Sequence, residues 1–68
     1  MLKITNFSKP EIAEIKSNIY LTKIQEQILD MKMEGDLTEY GMAIKLNVSE
    51  STIQYQWNTV IEKILRVI

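Results

Sequence analysis

The chain has 68 residues, 46% of them hydrophobic and 25% charged, with a formal net charge of −1. That length sets a limit of one domain, 1–68, which buries only about 60% of its unfolded surface and is marginally stable unless it oligomerises. With no cysteine and no histidine, disulfides, thiolate or imidazole zinc sites, cysteine nucleophiles and histidine acid–base catalysis are excluded.

The slightly acidic balance argues against tight nonspecific binding to nucleic acid, which depends on Lys and Arg displacing counterions from phosphates. It leaves room for a small specific reader with its charge gathered on one side, and for a protein-binding role. No apolar run approaches the ~18–20 residues of a membrane span. The start, MLKITNFSKP, lacks the apolar core of a signal peptide. A cytoplasmic protein with no membrane partner is expected.

Residues 1–8 read as an N-terminal arm. Ser8-Lys9-Pro10-Glu11 is a helix start: Ser8 fits the N-cap, Pro10 the first turn, and Glu11 closes a capping box. Ile12, Ile15 and Ile19 give one apolar stripe, and this helix should end near Tyr20. Thr22 and Gln25 repeat the capping-box pattern. Ile24, Ile28 and Met31 form the next stripe with Leu29 beside it, leaving Gln25, Glu26, Asp30 and Lys32 to solvent. Gly35 stops that helix.

The stretch 38–60, TEYGMAIKLNVSESTIQYQWNTV, reads as a helix, a tight turn and a second helix. Thr38 is an N-cap candidate, and Met42, Ala43 and Leu46 recur at helical spacing. Asn47 tolerates the left-handed conformation that ends a helix. Val48 fills the turn, and Ser49 caps the second helix. Ile53, Trp57, Val60, Ile61, Ile64, Leu65 and Ile68 make a long apolar face on a helix that nothing interrupts before the last residue. The expectation is all-α: a small four-helix domain with a helix-turn-helix and a long C-terminal helix.

Leu21-Thr22, Glu26, Ile28-Leu29, Met31, Glu34-Gly35, Thr38, Met42-Ala43, Leu46-Asn47-Val48-Ser49-Glu50, Thr52-Ile53, Val60 and Lys63-Ile64 together resemble the LuxR/GerE-type DNA-binding domain. Over the same stretch the chain is similar to region four of sigma factors, which also has a helix before the LT-like junction. The resemblance implies a bacterial or phage promoter-DNA binder working through the last helix; the sigma domain also docks on RNA polymerase. Two departures stand out. Gly41 occupies a position where both families usually carry Glu. The families' recognition helices usually carry Lys or Arg near positions 50, 52 and 54, whereas this helix reads Glu50, Ser51, Gln54, Tyr55, Gln56, Asn58, Thr59.

Uncharged side chains can still read bases. Gln and Asn make paired hydrogen bonds to adenine N6 and N7, and Ser or Thr serves base or phosphate. Gln54, Ser51 and Tyr55 are the first candidates for groove contacts and Asn58 the next, with Gln56 chemically suited as well. Thr38 and Lys45, with Lys23 from the neighbouring helix, are candidates for phosphate. Tyr55 suits stacking, a thymine methyl or a protein interface. Trp57 belongs either to the core or to a dimer seam with Ile61, Leu65 and Ile68. No phosphate-cradling glycine loop, metal-ligand cluster or catalytic carboxylate pair is evident, so no enzyme, cofactor, metal or small-molecule substrate is expected. The leading expectation is a transcriptional regulator that binds double-stranded DNA as a homodimer. The alternative is a module of the same fold that docks on RNA polymerase, a sigma factor or another regulator.

Overall fold

The computed structural model describes residues 7–68; most of the arm expected over 1–8 therefore lies outside the described residues. Four helices succeed one another: α1 (Lys9–Asn18), α2 (Lys23–Glu34), α3 (Glu39–Leu46) and α4 (Glu50–Leu65). The domain is all-α, with no strand among the described residues. None of its described helices is long and apolar enough to cross a membrane.

Each helix begins on a hydroxyl. Ser8, Thr22, Thr38 and Ser49 are the four N-caps, and each side-chain oxygen accepts the backbone N–H three residues on. A cap of this kind is worth about 1 kcal/mol because it satisfies a donor that the helix cannot. The first two are complete capping boxes: Ser8 N–H donates to Glu11 Oε1 at 2.9 Å, and Thr22 N–H to Gln25 Oε1 at 3.1 Å. The Ser8 backbone N–H, then its hydroxyl, hold the Glu11 carboxyl below the usual glutamate range.

The stops are equally local. Gly35 sits at φ 74°, and its N–H donates to Met31 O. Asn47 sits at φ 58°, ψ 47°. Its N–H reaches Ile44 O at 3.2 Å, and the Val48 N–H reaches Ala43 O at 3.0 Å. This double closure is a Schellman motif, and the apolar residue after the left-handed one packs back on the helix. Val48 does so, against the cluster that contains Ala43. Two ends differ from expectation. α1 stops at Asn18, because Ile19 is already extended and turns the chain towards α2; Tyr20 is left 78% exposed. α4 stops at Leu65, where Arg66 forms the cap.

The core is two clusters. Ile12, Ile15, Leu29, Val60 and Ile64 join α1, α2 and α4. Ile28, Met42, Ala43 and Ile53 join α2, α3 and α4. Trp57 is half-buried and packs against both. Gly41 makes no close backbone approach. A Cβ there would meet the Leu37 side chain at 3.3 Å, so any larger residue requires that side chain to shift by a few tenths of an ångström.

The helix ends can be tested at both termini. Asn47→Gly should keep full stability, whereas Asn47→Val should lose about 1–2 kcal/mol, read from urea midpoints. Glu11 has a lowered folded pKa, so its contribution is present above the ordinary glutamate pKa and lost as pH falls through the folded value. Acid titration monitored by helical circular dichroism should therefore show less acid destabilisation in Glu11→Gln than in the parent.

Candidate nucleic-acid interface

α4 is fixed from behind. Ile53, Val60 and Ile64 are all 0% exposed, and each buried side chain of this size is worth about 1.5–3 kcal/mol. With 3.6 residues per turn, burying that face turns Ser51, Tyr55 and Asn58 outward and puts Gln54 on one flank. All four are exposed. Tyr55, 68% exposed, carries a large amphipathic ring on the outer face, and its carbonyl accepts the Thr59 hydroxyl at 3.0 Å.

The N-terminal end of this ridge is a hydroxyl cluster. Ser49 Oγ accepts the Thr52 N–H at 3.1 Å and lies 3.2 Å from Ser51 Oγ and 2.9 Å from Thr52 Oγ1. Ser51 is thus held by the cap rather than loose. Thr38 Oγ1 accepts the Gly41 N–H at 3.1 Å, which leaves its own proton free to donate outward.

Gln54 and Asn58 line a cleft with Trp57, Lys32 from α2 and Glu39 from α3. Among the described residues, no side chain engages either amide. The Lys32 ammonium stands 5.1 Å from the Trp57 ring centroid, a cation–π contact of about 0.5–1 kcal/mol. Glu39 contributes a shielded carboxylate oxygen, Oε2, with no hydrogen-bond donor among the described residues. The two amides thus share a cleft with one ammonium and one carboxylate.

The rim is mixed. Lys23 opens α2 and Lys45 lies in the last turn of α3; both are exposed and free of ion pairs among the described residues. Lys16 is committed elsewhere, to Asp30 at 3.0 Å and Glu26 at 3.7 Å. Glu50 places a negative charge in the first turn of α4, where it favours the helix dipole but opposes phosphate.

Gln25 and Gln56 correct the sequence reading. Gln25 is 5% exposed, not on the solvent face. Its Nε2 donates to Gln56 Oε1 at 2.9 Å, and its Oε1 accepts from Lys63 Nζ at 2.7 Å. Lys63 also donates to Tyr20 O at 2.9 Å. Gln56 points inward to α2 and is withdrawn from any groove-reading role. The signal lies in the spacing: Gln25 precedes Ile28 and Leu29 by three and four residues, so it shares their inward face.

The residues expected at a seam separate. Trp57 is half-buried against both core clusters. Ile61 is half-buried, while Leu65 and Ile68 are 54% and 60% exposed, next to Val67 at 42%. A second apolar surface lies on α3, outside the sequence expectation. Tyr40 and Ile44, one turn apart, are 64% and 63% exposed, with Leu37 just before them at 37%.

No protein-family model matches the chain, and no curated protein or solved structure matches it.

A ridge that only faces solvent contributes little to stability. Gln54→Ala and Asn58→Ala should each change unfolding free energy by less than about 0.5 kcal/mol, measured by urea denaturation.

Proposed function

We propose that this chain is a DNA-binding transcriptional regulator. On this reading α3 and α4 are a helix-turn-helix, and the first half of α4 enters the major groove. The observation that carries the reading is the ridge of Ser51, Gln54, Tyr55 and Asn58, exposed on a helix whose opposite face is fully buried. Rigid elements hold base-reading groups more accurately than loops do. The resemblance of 21–64 to LuxR/GerE domains and to sigma region four supports the same reading, as does the left-handed Asn47 turn.

In this interface Gln54 and Asn58 pair with adenine edges, Tyr55 meets a thymine methyl, and Ser51 serves base or phosphate. Thr38, Lys45 and Lys23 position the backbone. So few cations give one copy too little affinity, so two copies act together on half-sites about one helical turn apart. Ile61, Leu65 and Ile68 are the surface for that pairing, and the protein works in the cytoplasm.

A second reading has an observation of its own. The Leu37, Tyr40 and Ile44 surface and the acidic Glu50 suit a protein partner, such as RNA polymerase, a sigma factor or another regulator.

Selection from random duplexes at low salt separates the two. DNA reading predicts an enriched sequence, and Gln54→Ala should weaken its binding by about 1–3 kcal/mol. The plot of log affinity against log salt should slope by no more than roughly −2 per protomer, the value for the two phosphates that Lys23 and Lys45 neutralise. Absence of enrichment, with polymerase subunits recovered from lysate without DNA, transfers the case to the second reading.

A further inference from the structure

The pair of buried Gln25 and half-buried Gln56 has no part in groove contact, yet it lies where the direction of the ridge is set. Gln25 uses both ends of its amide. Its Oε1 accepts from Thr22 N–H at 3.1 Å and Lys63 Nζ at 2.7 Å, and its Nε2 donates to Gln56 at 2.9 Å. Lys63 is held a second time by Tyr20 O at 2.9 Å and stands 5.6 Å from the Tyr20 ring centroid. One buried side chain at the start of α2 thus grips α4 at Gln56 and Lys63, seven residues and roughly 10 Å apart along the axis.

Apolar burial is non-directional. Ile53, Val60 and Ile64 would remain covered through a modest rotation of α4 about its axis. Hydrogen bonds at two heights along one flank would not survive it, because they weaken steeply with angle. Gln56 is also the residue after Tyr55, so the roll angle fixed at Gln56 fixes where the tyrosine points.

We infer that Gln25 is a positioning residue: with Gln56 and Lys63 it sets the roll of α4 and hence the sequence preference of the ridge, without touching DNA. This rests on the DNA-reading proposal for its consequence, but the roll itself can be measured without DNA. Losing Gln25 also removes the acceptor of Thr22 N–H and Lys63 Nζ and so lowers stability in any case; the orientation of α4 and the sequence preference, not stability, are therefore the readouts.

The test compares the parent with the double variant Gln25→Leu/Gln56→Leu and with Gln56→Glu, which keeps an oxygen facing Gln25 Nε2. Residual dipolar couplings report α4 relative to α2, and binding is measured to the selected duplex and to a scrambled one. The double variant should remain helical, show a shifted or averaged α4 orientation, and lose about tenfold in preference for the selected duplex, the weight of one paired base contact. Its affinity for the scrambled duplex should stay unchanged, and Gln56→Glu should retain both orientation and preference. Unchanged couplings in the double variant overturn the inference. So does an unchanged preference. If the double variant unfolds, Lys63→Met releases the second grip alone and is judged by the same readouts. A parent that selects no duplex removes the DNA reading, and the couplings still decide whether the amide pair sets the roll.

Discussion

One buried face of α4 organises this molecule. Ile53 belongs to the cluster shared with α2 and α3, Val60 and Ile64 belong to the cluster shared with α1 and α2, and Trp57 lies against both. No other helix could be removed with so much lost. A chain of this size has little apolar area to spare, so the same stripe must serve two half-cores. Covering it on one side also exposes the opposite side as an ordered row of hydroxyl, amide and phenol groups.

Polar groups then refine what apolar burial leaves loose. The caps fix where each helix starts, Gly35 and Asn47 fix where α2 and α3 stop, and the Gln25 amide holds α4 at two heights. The energies are unequal. A cap or hydrogen bond is worth about 1 kcal/mol, whereas the buried face of α4 totals several times that. Burial therefore decides that the domain folds, and the directional bonds decide which of several close packings it adopts.

Local chemistry is legible in the sequence, and relations between elements are less so. All four N-caps, both capping boxes and the left-handed Asn47 are short-range matters, readable from three or four neighbouring residues. The ridge comes from helical period once α4 is placed. Gln25 reads as a surface residue by its type, and only its helical face, shared with Ile28 and Leu29, marks it as buried. Leu65 and Ile68 group with the core by periodicity, which marks an apolar side without saying whether another element covers it. The Tyr40 and Ile44 surface is hard to read for a related reason: α3 is apolar on more than one side, and Met42, Ala43 and, in part, Leu46 take the cover.

The division of the core into two clusters gives the helices unequal tenure. α1 contributes Ile12 and Ile15 to one cluster and nothing to the other, while α2 and α4 enter both. Its polar tie to the rest is the pairing of Lys16 with Asp30 and Glu26, and surface ion pairs of this kind are weak. Partial opening with the smallest loss of buried contacts therefore releases α1 and leaves the α2–α3–α4 packing around Ile28 and Ile53 in place. Such an excursion would uncover Leu29, Val60 and Ile64 on the side remote from Tyr55, so the molecule can breathe without disturbing its outward row.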